Sequence, residues 1–263
     1  MSTGLSFDEE QARRLEMVYL TPDAVRRRRR VLDSLALQPG ERVADIGCGP
    51  GFVALEMSEI VGDDGQIVGI DRSGAMLSLA RKRCEGCARV ELREGDATAL
   101  PAADGEFDVA VSVQVYEFVS DVERAVGEMF RILRPGGRAA IVATDWDSIL
   151  WHSSDEERMR RVLSAWDEHL ADPGLPRKLQ PMLRRAGFAI DGVSVINQLN
   201  AAYNEDTLSV GLIPLIQAFV GGRQGVTVDD AAAWAAELQA LGAGGEYFFC
   251  LNQYLFTLMK PTG

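Results

Sequence analysis

Short apolar runs alternate with stretches of helical period along the first half of the chain. Arg42–Ile46, Gln66–Asp71, Arg89–Arg93, Phe107–Val113 and Arg138–Thr144 read as buried strands, each a compact block rich in Val, Ile, Leu and Ala. Helices are predicted between them. One spans Phe52–Ile60, one runs from the N-cap Ser73 to about Cys84, and one runs from the N-cap Asp121 to Leu133, where Pro135-Gly-Gly137 stops it. Strand alternating with helix at this spacing predicts an α/β fold, a mostly parallel sheet with helices on both faces. The second half stretches the alternation. Glu156–Ala186 reads as helix broken at Pro173-Gly-Leu-Pro176, Phe188–Gln198 as a sixth strand and Glu246–Met259 as the last. Between those two strands lie helical patterns at Glu205–Val220 and Val228–Leu241, split by Gly221-Gly222. A hairpin needs only about 2–5 loop residues, so the segment at about 203–245 is an insertion, either a helical cap or an interface such as that of a homodimer.

Composition excludes several classes. The chain has 263 residues and a formal net charge of −12, with 47% hydrophobic and 25% charged residues. That apolar content rules out global disorder, and the acidity argues against nucleic acid as the main partner. Met1–Gln11 carries Asp8, Glu9 and Glu10 and no apolar run, and the most apolar stretch, Leu208–Val220, is interrupted by Ser209, Gly211, Pro214 and Gln217. Neither a secretory signal nor a membrane span is therefore expected, and the cytoplasm is the expected location. Four cysteines give no disulfide framework.

The chemistry concentrates in Asp45-Ile-Gly-Cys-Gly-Pro-Gly51, which follows a strand and opens a helix. Glycines 47, 49 and 51 let a ligand lie against the backbone. The spacing G-x-G-x-G differs from the dinucleotide fingerprint G-x-G-x-x-G, and Asp45 would repel a pyrophosphate while suiting an ammonium group. Asp71 ends the second strand, where a carboxylate can accept from both ribose hydroxyls. Glu94-Gly-Asp96-Ala97 ends the third, where an acid can accept from an exocyclic adenine amine. An ammonium, a ribose diol and an adenine without phosphate describe S-adenosylmethionine (SAM).

The sequence resembles the class I SAM-dependent methyltransferases, especially the small-molecule group related to the ubiquinone/menaquinone biosynthesis enzymes. The resemblance rests on Val43-Ala-Asp-Ile-Gly-Cys-Gly-Pro-Gly51, Gly69-Ile-Asp-Arg-Ser73 with Met76, Gly95-Asp-Ala97 with Leu100-Pro101, Phe107-Asp108, and Arg131-Ile-Leu-Arg-Pro-Gly-Gly137. It implies a Rossmann-like seven-stranded sheet in one domain, with an N-terminal helical lid (1–38), a SAM-binding core (39–145) and a substrate-side half (146–263). It implies that Asp45, Gly47, Cys48, Gly49 and Gly51 hold the methionine moiety and that Asp71 takes the ribose. Arg72 and Met76 would flank ribose and adenine, Asp96 and Ala97 would address the adenine edge, and Val113 and Gln114 would line the methionine side. The implied product is S-adenosylhomocysteine (SAH). Val113-Gln-Val-Tyr-Glu117 has no N/D-P-P-Y/F motif of the nucleic-acid enzymes and no first acid of the metal-dependent catechol enzymes, so neither nucleic acid nor metal is expected.

The acceptor side is open. His152 and Glu117 are candidate bases, Tyr19 a candidate lid residue with a place in catalysis, and Trp146, Trp151 and Tyr203 candidate substrate contacts alongside Tyr19 and Glu117. Related enzymes often carry His where Glu117 stands. His169 is expected at the surface, and Arg26–Arg30 as a solvated helix. Cys84 and Cys87 are expected as small half-buried thiols, since zinc needs further ligands that the sequence does not place beside them. A small, partly apolar acceptor with an O, N, S or C nucleophile is expected. A SAM-fold enzyme with a non-methylating reaction and a catalytically inactive SAM-binding protein stay open.

Overall fold

The computed structural model describes residues 16–262. Seven strands form one sheet in the order β3-β2-β1-β4-β5-β7-β6. They are β1 (Arg42–Ile46), β2 (Gln66–Asp71), β3 (Val90–Glu94), β4 (Phe107–Val113), β5 (Leu133–Trp151), β6 (Ala189–Asn200) and β7 (Phe249–Met259). The pairings β1–β2, β1–β4, β2–β3 and β4–β5 are parallel, while β7 runs antiparallel to both its neighbours. Chain order reverses between β1 and β4, so the loops leaving them diverge and open a crevice at the strands' carboxyl ends.

Eight helices cover the sheet or extend it: α1 (Pro22–Leu35), α2 (Phe52–Val61), α3 (Gly74–Arg83), α4 (Val122–Ile132), α5 (Glu156–Trp166), α6 (Pro176–Arg185), α7 (Leu208–Val220) and α8 (Val228–Ala243), among the described residues. Residues 16–20 form a helical turn ahead of α1. The predicted caps hold locally: the Ser73 side chain accepts the Met76 amide and that of Asp121 accepts the Arg124 amide. One face of the sheet is buried by α4 and α6 through Val126, Met129, Leu179 and Leu183, the other by α1 and α2 through Val31, Leu35, Met57 and Val61. A third cluster is separate. It gathers Trp146, Trp151, Trp166, Ile216, Trp234 and Phe249 under α5, α7 and α8, forming the cap.

Two expectations change in extent. The fifth strand runs Leu133–Trp151 instead of Arg138–Thr144, because Leu133 still pairs with Phe107 and, past a bulge after Asp145, Leu150 and Trp151 pair with Cys250 and Phe249. The break in the second-half helix begins at Asp167–His169, ahead of Pro173, where His169 Nδ1 engages the Trp166 carbonyl and the backbone tightens into a single 3₁₀ turn.

Candidate functional site

The glycine loop takes its shape from left-handed backbone. Gly47 has φ 72°, and a Cβ there would sit 2.2 Å from a Val115 methyl. At Gly49, by contrast, a Cβ would meet nothing within 4 Å, so the backbone there fronts open space. Asp71 holds the loop from the side: its Oδ2 accepts the Gly49 amide at 2.8 Å and its Oδ1 the Ser73 amide at 2.8 Å. Asp45 lies at the base of the loop, 2% exposed, with Oδ2 unpartnered. Burial, reinforced by the Asp71 charge, pushes its carboxyl up to about 7. A buried carboxylate with a free oxygen beside an open backbone cradle is a receptor for a cationic group.

Residues 16–20 and α1 close over this loop. The Tyr19 ring lies 6.2 Å from Phe52, the residue that starts α2 directly after Gly51. Arg28 donates to the Tyr19 carbonyl at 2.6 Å and pairs with Glu56 at 2.8 Å, and Arg83 pairs with Glu16. Burial raises the Tyr19 hydroxyl above its ordinary value; the Arg27 charge opposes the shift, and those of Asp71 and Glu117 reinforce it. Tyr19 therefore sits between the loop and the turn after β4.

That turn carries Glu117, which is wholly buried. Its Oε1 accepts the Thr144 amide at 3.2 Å, and its Oε2 has no partner. Burial lifts it to about 7, while the Thr144 hydrogen bonds and the Arg27 charge pull the other way. Gln114, at φ 56°, donates to Thr144 Oγ1 at 2.8 Å; Gln253 donates to the same oxygen at 3.2 Å and accepts from Gln198 at 3.0 Å. A largely buried polar row thus crosses from β4 to β6.

The other predicted residues divide. Cys48 is buried in the loop, and burial raises its thiol far above the usual range. Arg72 is exposed, Met76 is buried, and Ala97 and Val113 are partly covered. Asp96 uses Oδ1 for the Thr98 amide and hydroxyl, which closes a tight turn. Trp146 and Trp151 are 7% and 5% exposed, within the cap cluster. Trp151 stacks edge-on against Trp234 and Phe249, with centroids 5.4 and 4.8 Å apart. The same two tryptophans border an open groove of about 460 Å³ against α5, together with Leu150, Met159, Leu163 and Asp167. Tyr203 packs on Gly242 and Tyr247 in the cap.

The structure does not bring His152 to the loop. It is exposed, and its amide bonds the Phe248 carbonyl. Gln253 lies opposite Thr144, so five residues of extended chain, roughly 17 Å, separate the two levels.

Three surface expectations need correction. His169 is 4% exposed, enclosed by Trp146, Trp166, Phe118 and Phe219, and burial drops its pKa to about 4. Arg27 and Arg28 are buried, because a five-residue run on a helix must turn part of itself toward the sheet. Of the two thiols, Cys84 is buried, and only Cys87 is half-buried, 3.3 Å from Ser58 Oγ. The sequence reading missed Arg27, although the signal was there: the apolar stripe Ala24, Val31, Leu35 has its gap at 27–28.

Residues 44–141 match the Methyltransf_11 family, a methyltransferase domain. The chain is 35% identical over 223 residues to an uncharacterised 37.1 kDa protein in transposon Tn4556 of Streptomyces fradiae, covering 76% of this chain and 64% of that one. It is 39% identical over 110 residues to the 2-phytyl-1,4-naphtoquinone methyltransferase of Synechococcus elongatus, covering 41% and 47%. Among solved structures it superposes on Haemonchus contortus phosphoethanolamine N-methyltransferase 2 in complex with SAM, with TM-score 0.64, 20% identity and 97% and 57% coverage. Residues 44–141 thus carry a methyltransferase domain, and the seven-stranded sheet has the class I methyltransferase fold. The chain spans from about half to 64% of the length of these two curated relatives.

SAM is the cofactor of this class, and the residues fit it. The free Asp45 oxygen could accept from its ammonium, the open space at Gly49 could admit its methionine chain, and Asp71 has lone pairs beyond its two amide bonds that could accept from a ribose diol. Among the described residues no three His, Cys, Asp or Glu side chains gather as a metal site. Asp145 and Asp147, the acids after β5, are both engaged by Arg177, at 2.7 and 3.0 Å. No helix among the described residues is long and apolar enough to cross a membrane.

Proposed function

We propose that this class I methyltransferase moves the methyl group of SAM to a small, partly apolar acceptor without a metal. The observation that carries the reading is the buried Asp45 carboxyl, with one oxygen unpartnered, at the base of an open glycine loop, with Asp71 alongside. Residues 16–35 act as the described part of the lid, the sheet up to Asp145 as the cofactor core, and α5 to α8 as the cap.

When bound, SAM supplies an electrophilic methyl on a sulfonium. Asp45 would hold its ammonium and Asp71 its ribose, and the lid would exclude water around Tyr19. Glu117 takes a proton from the acceptor at Oε2, a base poised near neutrality by its own burial. Holding the nucleophile in line and dry supplies most of the acceleration. Asp96, Ala97, Met76 and Arg72 complete the adenosine side in this reading. The quinone methyltransferase relatives favour an acceptor with an apolar body.

The test is SAH release from SAM over a panel of phenols, enols, amines and thiols. Glu117→Gln lowers kcat about a hundredfold while SAH affinity by calorimetry stays within about threefold. Turnover of an acceptor without SAH release would falsify methyl transfer. Lack of SAM binding would remove the cofactor assignment as well.

A further inference from the structure

Arg27 is the one arginine of α1 aimed at the buried polar row whose Nε has no partner. It is 2% exposed, and no ion pair involves it among the described residues, whereas its neighbour Arg28 pairs with Glu56 at 2.8 Å. Its place follows from the helix. Asp23 accepts Asn200 Nδ2, at the end of β6, at 3.1 Å. Four residues on along α1 is about 6 Å, and two residues back along β6 is about 7 Å. Arg27 therefore comes level with Gln198 and Gln253, whose row leads through Thr144 to Gln114 and Glu117. Its guanidinium carbon lies 5.9 Å from the Tyr19 ring centroid.

The charged and titratable groups around it are Tyr19 from the lid, Asp23 and Arg28 on its own helix, and Glu117 from the turn after β4. A buried cation and a buried carboxylate oxygen, both lacking partners and not in contact with each other, are costly in the free protein. A ligand that offers an anion to one and a proton to the other satisfies both. A protonated amine would face the guanidinium with like charge. A carboxylic acid arrives already ionised and leaves Glu117 unused.

We propose that Arg27 is an acceptor-binding residue that holds the oxyanion of a phenol or enol, so that the site methylates oxygen acids and turns away amines. This rests on the methyl-transfer reading of the same site. In the step, the acceptor O–H bond breaks and its proton goes to Glu117 Oε2. The acceptor oxygen forms the new O–C bond, and the S–C bond breaks with its electron pair returning to sulfur, which leaves SAH. Arg27 faces the oxygen while the negative charge is on it.

4-Nitrophenol is the probe, added to the protein with SAH and read by its visible phenolate band at a pH below its solution pKa. The wild type is expected to show saturable phenolate formation. Arg27→Gln weakens it about tenfold or more, Arg27→Lys restores part of it, and Glu117→Gln, which cannot take the phenol's proton, weakens it as well. With SAM in place of SAH, phenols and enols release SAH about a hundredfold faster than size-matched amines. Equal phenolate binding in Arg27→Gln, or amines that turn over as fast as phenols, overturns the assignment. The phenolate measurement involves no turnover. Phenolate held without any SAH release keeps Arg27 in place and defeats methyl transfer instead, and SAH released from amines alone does the reverse. SAH calorimetry on each variant establishes that lid and loop are folded; should Arg27→Gln fail it, the charge-keeping Arg27→Lys must still bind phenolate better than an Arg27→Met chain.

Discussion

Asp45 at the glycine loop and Glu237 in the cap are both largely covered carboxylates, and the structure treats them in opposite ways. Asp45 keeps an oxygen without a partner, and burial raises it to about 7. Glu237 accepts from Ser153 Oγ, the Ser154 amide and hydroxyl and Arg158, at 2.6–2.8 Å. Burial pushes it up too, but those bonds outweigh the push and bring it down to about 2. The cap has unpartnered buried atoms too, the indole nitrogens of Trp146, Trp151 and Trp166, the Tyr247 hydroxyl and Arg158 Nε, but the first four are polar tips of side chains packed in its apolar core, and Arg158 still pairs with Glu237. At the loop end the short groups include three ionisable ones that make no ion pair among the described residues, Asp45, Glu117 and Arg27. An unpaired buried charge costs more than an unpaired indole N–H, so the loop end is where ligand chemistry is expected.

Residues 16–35 join the two regions. Val18 packs against Gly211 of α7, and Asp23 accepts the Leu208 amide at 2.8 Å, capping that helix from another element. Tyr19, between them in sequence, turns to the loop instead.

The comparison breaks or sharpens under five changes. The largest effect is expected from Trp151→Ala, which should cost about 4 kcal/mol in urea unfolding by opening a cavity in the cap, with SAH affinity of the folded protein within about threefold. Loss of SAH binding in step with stability would sink the separation of roles. Asp71→Ala should lower SAH affinity about a hundredfold, since it removes two loop amide bonds and the ribose acceptor, while unfolding free energy moves by about 1 kcal/mol or less. Glu237→Gln should cost about 2 kcal/mol at neutral pH. Its folded pKa is depressed, so its contribution is full above about pH 4.5 and lost as pH falls through about 2. Wild type and variant stabilities should therefore converge in acid.

The fourth change is pH itself. The folded pKa values of Asp45 and Glu117 are raised to about 7. What they add to the ligand-free fold is present below about pH 4 and lost as pH rises through about 7. A cationic ligand needs Asp45 ionised, so SAM affinity should fall about tenfold per unit below pH 7 and flatten above it, by calorimetry across buffers. Asp45→Asn should abolish that slope. The smallest effect belongs to His152→Ala. Its side chain lies roughly 17 Å along the sheet from Thr144, and kcat/KM should change less than about twofold.

Much of the core was legible because its signals are local. The caps Ser73 and Asp121 act on residues within a few positions, and the loop Asp45–Gly51 and the acid Asp71 are placed by where their strands end, although the Asp71 bond to the Gly49 amide spans 22 positions. The acceptor side was not. Trp146 and Trp151 read as pocket walls because aromatic residues beyond strand ends often are. Their partners, Trp166 and Trp234, lie far along the chain and turn them into cap core. His169 read as surface beside Glu168, yet Trp166 three residues before it and three rings from distant segments, Phe118, Trp146 and Phe219, enclose it.

The sequence by itself determined the strand–helix alternation, the glycine loop and the two strand-end carboxylates Asp45 and Asp71, since these depend on periodicity and on position at the ends of β1 and β2. Only the tertiary structure decided that Arg27 is a buried cation and not a solvated one, that Glu117 rather than His152 stands beside Tyr19, and that Trp146 and Trp151 belong to the cap core. Burial and pairing across the sheet set a side chain's charge and its partners, and neither is written in the residues next to it.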